Sequence, residues 1–147
     1  MEVYLAARFT YWWIAREFAD QIEKAGHKIT WRWMNHSVVF DENDDFIPGY
    51  QPTQAEMTYM GDQDQQGVAT AKVLVLLADN DDIYGALIET GMAIAYGHEV
   101  IVIAPRRTHV FWTRSLIRKV TVVSSRQQAL EHLDALAAAA YTPTKPH

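Results

Sequence analysis

The sequence predicts an α/β domain built on a doubly wound, five-stranded parallel sheet, and three observations carry that prediction. Short apolar runs such as VLVLL at 73–77 and VIVI at 100–103 are rich in β-branched residues and show no alternation. Strands covered on both faces of a parallel sheet read this way. Each run is separated from the next by a stretch of helical periodicity, so strands and helices alternate along the chain. Such alternation requires crossover connections, which are right-handed and lay helices over the sheet.

The first strand is expected over 3–7 (VYLAA), followed by Arg8, Phe9 and Thr10. Thr10 is placed to cap a helix over 11–25, in which Ile14, Phe18 and Ile22 recur every four residues and Gly26 ends the last turn. The alternating ITWRWM at 29–34 predicts the second strand. Residues 35–52 are irregular and rich in acids and turn formers, with Pro48, Gly49 and Pro52 as punctuation. A loop of that length is a candidate lid or a disordered segment. Thr53 with Glu56 three residues on has the spacing of a capping box. The helix it opens is expected to reach Ala71, with Met57, Met60, Asp64, Val68 and Ala71 near one face. An acid among apolar positions points to the edge of the core or to a pocket.

Residues 73–104 form the unit around which the chain is organised. A buried strand leads into a loop dense in acids, Asp79 to Asp82, then a helix beginning near Gly85, then a second buried strand. Leu87, Met92, Ile94 and Ala95 supply the apolar side of that helix and Gly97 stops it. A loop over 104–113, a fifth strand over 120–123 and a last helix from Ser125 to Ala140 complete the pattern, with Ala129, Leu130, Leu133, Leu136 and Ala137 as its buried stripe. Residues 1–140 are expected to form the domain and 141–147 a flexible tail. The sheet is of the flavodoxin-like or Rossmann-like kind, in which ligands bind outside the carboxyl ends of the strands. That rule directs attention to Asp79–Asp82 and Glu89.

Composition removes several classes of function. At 147 residues the chain is long enough for one real core. There is no cysteine, which excludes disulfides and thiolate chemistry. A net charge of −5 argues against binding a nucleic acid polymer, although Arg106, Arg107, Arg114, Arg118 and Lys119 cluster modestly. No apolar run approaches the ~18 residues of a membrane span, and a secretory leader pattern is missing at the start, so a cytoplasmic protein is expected. Five tryptophans, at 12, 13, 31, 33 and 112, are many for this length. They are suited to fill the core or an interface, or to wall a pocket for a flat ring.

Motifs narrow the chemistry further. The first strand is followed by LAARFT rather than a glycine-rich dinucleotide turn, and no P-loop is present. The six histidines never take metal-ligand spacing, no serine sits in a nucleophile elbow, and no cofactor is implied. Carboxylates at strand ends remain. Glu89 lies early in its helix beside the small residues Ala86, Thr90 and Gly91, which allow close approach of a ligand. Burial there would raise its pKa and a helix N-terminus would hold it ionised, and an ionised, desolvated carboxylate is a competent nucleophile.

The segment GALIETGMA at 85–93, followed by YGHEV at 96–100, resembles the G-x-x-x-E-x-G-x-A…G-K-x-V signature of the nucleoside 2-deoxyribosyltransferases and the related deoxynucleoside 5′-monophosphate N-glycosidases. VYLAARF at 3–9 resembles that family's first strand, and DQQGV at 64–68 its D-x-x-x-[IV] helix. The resemblance implies cleavage of the N-glycosidic bond of a 2′-deoxynucleoside or its monophosphate, with transfer of the sugar to another base or to water. Glu89 would be the nucleophile at C1′, Tyr4 would orient it, and Asp64 would assist departure of the base. Arg8, Asp82, Gly85 and His109 would contact substrate. Asp82 stands one residue further from Glu89 than the family's usual acid, and Ile83 occupies that place. Family members complete their pocket with a neighbour's loop, which implies a homodimer or higher homo-oligomer; Phe111 and Trp112 would serve such an interface. Two other readings remain open: a non-catalytic nucleotide sensor on the same fold, and a TIR-like NAD glycohydrolase, which also uses a glutamate at a strand end.

Overall fold

The computed structural model describes residues 1–36, 41–43, 45, 47–78, 83–104 and 119–141. Five strands, β1 (Glu2–Ala7), β2 (Lys28–Ile29), β3 (Val73–Leu77), β4 (Glu99–Ile103) and β5 (Val120–Val123), form one sheet. All neighbours pair in parallel in the order β2-β1-β3-β4-β5, which is the flavodoxin-like order. Every residue of β3 is buried, as are Val3–Ala7 of β1 and Val100–Ile103 of β4. This burial on both faces is why those strands carry apolar side chains at successive positions rather than alternate ones.

The helices described are α1 (Trp12–Lys24), α2 (Trp33–His36), α3 (Gln54–Thr70), α4 (Tyr84–Ala95) and α5 (Arg126–Ala140), with a 3₁₀ turn at Phe9–Tyr11. α1 and α5 share one face of the sheet. Arg126 of α5 meets Glu17 of α1 at 3.6 Å, and Asp134 of α5 meets His27, just past α1, at 2.8 Å. α3 packs against α4 on the other face. Among the described residues no helix is long and apolar enough to cross a membrane.

Local chemistry explains most boundaries. Gly26 and Gly97 take φ of 96° and 78° just after α1 and α4, the left-handed conformation that a helix stop favours. The capping box at α3 is complete: the Thr53 side chain accepts from the Glu56 amide at 3.1 Å, and the Glu56 carboxylate accepts from the Thr53 amide at 2.9 Å. Tyr50 also donates to Glu56, tying the end of the irregular 35–52 segment to the start of α3. Ser125 caps α5 by accepting from the Gln128 amide.

Four expectations are corrected. Thr10 does not cap α1; it lies inside the 3₁₀ turn, and α1 begins at Trp12 with no side-chain cap. The predicted second strand over 29–34 pairs only through Ile29, and Trp33–His36 is helical. The chain leaves the sheet because its polar groups find partners elsewhere. The Thr30 hydroxyl donates to the Gly67 carbonyl at 2.7 Å, the Trp33 indole donates to the Leu5 carbonyl at 2.7 Å, and Arg16 donates to the Met34 carbonyl at 3.0 Å. On α3, Met57 is exposed, and only Gly67 and Val68 are buried, because the first turns of this helix lie beyond the core. On α4 the fully buried stripe is Ala86, Thr90 and Ala93, while Ala95 is exposed. Small side chains there bring α4 close to β1 and β3.

Candidate active site

The order of strands reverses between β1 and β3, which opens a crevice at their carboxyl ends. A cavity of about 540 Å³ occupies it. Three elements supply its polar groups. Tyr4 comes from the middle of β1 and is only 1% exposed. Asp64 projects from α3, and Glu89 is the sixth residue of α4. The Tyr4 hydroxyl faces both carboxyls and interacts electrostatically with each, so the three side chains form one cluster. Asp64 Oδ1 also accepts from the Trp31 indole N–H at 3.0 Å. Glu89 Oε2 is buried and has no hydrogen-bond partner among the described residues.

Gly67 makes this arrangement possible. A Cβ at that position would lie 2.7 Å from the Trp31 Cβ and 3.0 Å from two ring carbons of Tyr4. Only glycine lets α3 approach the tyrosine ring and the Trp31 stem this closely. Apart from Arg8 and Thr10, the remaining walls are largely apolar. Phe9 and Trp33, with ring centroids 6.0 Å apart, stand with Met60, Pro52 and Ile83 around the carboxyl cluster. Such a chamber suits a flat heterocycle, which finds apolar faces on its sides and a few polar groups at one end.

Burial governs the electrostatics. It pushes the Glu89 carboxyl up to about 8, with repulsion from Asp64 adding to the rise and the Tyr4 hydrogen bond opposing it. Burial likewise pushes Asp64 up to about 6, against the hydrogen bonds from Trp31 and Tyr4. The Tyr4 hydroxyl is held in its neutral form, first by burial and then by both carboxylates. These directions correct the expectation that the helix N-terminus holds Glu89 ionised. The dipole's influence fades within the first turn of a helix, and Glu89 lies beyond it. Desolvation wins, and near neutral pH the empty cluster retains one proton between its carboxyls.

Of the predicted site residues, Tyr4, Asp64 and Glu89 come together as one group. Arg8 and Gly85 lie on the cavity wall, and the Arg8 guanidinium also sits 5.8 Å from the centre of the Tyr11 ring. Asp82 and His109 lie outside the described residues, as do the basic residues 106, 107, 114 and 118, the aromatics at 111 and 112, part of the 35–52 segment and the tail beyond 141. The sequence offers tryptophans as pocket walls without choosing among them; among the described residues, Trp31 and Trp33 line the cavity. Gly67 was missed as a site determinant, and nothing in its local sequence distinguishes it from Gly61 in the same helix. Among the described residues no group of His, Asp and Glu is arranged to hold a metal ion.

No family model matches the sequence, and no curated protein matches it either. Solved structures do. The chain aligns with the Clostridium botulinum CMP N-glycosidase BcmB at a TM-score of 0.56 and 14% identity, covering 92% of this chain and 99% of that one. It aligns with a 2-deoxyribosyltransferase from the psychrotolerant bacterium Bacillus psychrosaccharolyticus at a TM-score of 0.61 and 14% identity, covering 88% and 90%. The chain therefore shares its fold, over nearly its whole length, with an N-glycosidase and a deoxyribosyltransferase.

Proposed function

We propose that this protein cleaves the N-glycosidic bond of a 2′-deoxynucleoside or its 5′-monophosphate and passes the deoxyribosyl group to another base or to water. The observation that carries this reading is Glu89. Its Oε2 is buried and unpartnered among the described residues, in a side chain that lines a chamber of nucleoside size and is joined through Tyr4 to a second carboxyl. An unpaired carboxylate oxygen in a desolvated site is costly in the resting protein, and it is what a nucleophile towards an electrophilic carbon requires. The shared fold of the N-glycosidase and the deoxyribosyltransferase supports the same reading.

The ionised Glu89 carboxylate attacks C1′, forming a C–O bond as the C1′–N bond breaks. The electron pair of the breaking bond goes to the base, which takes a proton from the Asp64 carboxyl. The sugar is then held as an ester on Glu89. Water or a second base attacks C1′ from the side the first base left, with Asp64 accepting the proton, and Glu89 departs as carboxylate. This is the double displacement of retaining glycosidases, in which one carboxyl exchanges the roles of acid and base. The reacting form therefore has the cluster's proton on Asp64 and Glu89 ionised, so the proton that burial favours on Glu89 in the free protein must pass to Asp64 before attack, and the Tyr4 hydroxyl, which faces both carboxyls, is placed to relay it. The apolar rings of Phe9 and Trp33 take the base, and Arg8 is placed to meet the 5′ end of the sugar or its phosphate. Asp82 and His109 are proposed to complete the substrate contacts, and a second copy of the chain to close the pocket.

Chromatography of free base released from a panel of deoxynucleosides and their monophosphates, with and without a second base, tests this. Turnover that disappears in Glu89→Gln, and a protein mass increased by one deoxyribosyl group or deoxyribosyl phosphate on rapid quenching, are expected. Release of base by Glu89→Gln at the wild-type rate would refute the assignment.

A further inference from the structure

We propose that Trp31 is a positioning residue that sets which oxygen of Asp64 delivers the proton to the leaving base; this rests on reading Asp64 as the acid. The indole Nε1–H is a donor with no acceptor capacity, and it lies 3.0 Å from Asp64 Oδ1. Oδ1 therefore acts as an acceptor, which favours Oδ2 as the oxygen that carries the acid's proton, because the Tyr4 hydroxyl, the other group facing this carboxyl, can accept as well as donate. A carboxyl on a helix has two torsions to settle, and without such a tie the proton would be shared between two oxygens pointing in different directions.

The tie is itself anchored. The Trp31 Cβ packs directly on Gly67, one turn of α3 beyond Asp64, at the position where a glycine Cβ would fall only 2.7 Å away. The preceding Thr30 hydroxyl donates to the Gly67 carbonyl at 2.7 Å. Thr30, Trp31, Asp64 and Gly67 thus lock the exit of β2 to α3 at the same turn that carries the acid. The bond has a second effect, because an N–H aimed at a carboxylate favours its ionised form and opposes the burial that pushes Asp64 up to about 6. Trp31 keeps the acid able to give up its proton as well as correctly aimed.

Trp31→Phe keeps an aromatic ring and removes the donor. The replacement of Trp31 by β-(3-benzothienyl)alanine, in which sulfur stands for the N–H in the same bicycle, keeps the shape as well and guards against loss of fold. Two readouts are needed. In ¹³C NMR of labelled aspartate carboxyls, Asp64 should titrate about one unit higher in both variants than in wild type. In kinetics, release of natural bases should fall roughly 10–100-fold, while 4-nitrophenyl 2-deoxyriboside, whose leaving group needs no proton, should be cleaved within about 3-fold of wild type, as expected when only general-acid assistance is lost. An unshifted Asp64 titration, or an equal loss on both substrates, would overturn the positioning role. Failure of the wild type to release base from any substrate would instead overturn the glycosidase reading, and Asp64's role as acid with it. The NMR titration reports the Trp31–Asp64 bond in either case, so the two failures are told apart.

Discussion

Two glycines in α3 offer a controlled test of how the site is built. Gly61 and Gly67 are both helical, and replacement by alanine raises helix propensity by about 1 kcal/mol at either position. Their surroundings differ. A Cβ at 61 meets nothing within 4 Å, whereas at 67 it lies 2.7 Å from the Trp31 Cβ and 3.0 Å from Tyr4 ring carbons. Ordinary carbon contacts are about 3.5–4.0 Å, so the neighbours must retreat by most of an ångström. The Trp31 Cβ is the stem of its side chain and cannot swing aside, and the Tyr4 ring is enclosed by the core. Overpacking of this kind costs about 1–3 kcal/mol. Gly61→Ala should therefore be more stable than wild type, and Gly67→Ala less stable than Gly61→Ala by about 1–3 kcal/mol, or roughly 2–12 °C in Tm for a chain of this size. Denaturant and thermal melts of the two variants, read by circular dichroism, measure the gap directly. Base release should separate them further. A retreat approaching 1 Å at Tyr4 and Trp31 misplaces both carboxyl partners, which is enough to cost about 100-fold in rate, while Gly61→Ala should keep wild-type activity. If Gly67→Ala is as stable and as active as Gly61→Ala, the close approach of α3 to Tyr4 is not what organises this site.

Three further outcomes follow from the same geometry. The Glu89 carboxyl is raised to about 8 in the folded protein from an ordinary 4.5, so the folded state binds the extra proton and stability is full below pH 4.5 and lost as pH rises through 8. Glu89→Gln should remove that slope, about 5 kcal/mol at most, and urea melts between pH 5 and 9 that fall equally for both proteins would contradict it. The Tyr4 hydrogen bond opposes the rise of Glu89, so Tyr4→Phe should move the ascending limb of the pH–rate profile to higher pH and lower kcat by about 10–100-fold; an unmoved limb would remove Tyr4 from the cluster. Thr53→Ala breaks the capping box at the start of α3, a local loss of about 1 kcal/mol measurable by thermal melting, with the active-site titrations unchanged because Asp64 lies near the middle of the helix.

Features whose causes are local could be read directly along the chain. β3 and β4 were legible because burial on both faces writes an uninterrupted apolar run into the chain, and α3 was legible from Thr53 and Glu56 because a capping box is closed within four residues. Parallel order followed from alternation. Glu89, Asp64 and Tyr4 were legible through a motif, and the structure brings those three together. Tertiary structure decided the rest. ITWRWM alternates as a strand would, yet it becomes a two-residue edge strand and a short helix because Thr30, Trp31 and Trp33 find acceptors on α3 and β1 that lie far away in sequence. Gly67 differs from Gly61 only in what another strand and another loop place against it. The protonation of Glu89 was misread for the same reason: a helix dipole can be counted along the chain, whereas desolvation depends on how completely β1, α3 and the surrounding rings exclude water from a carboxyl that the sequence shows only as one acid in a helix.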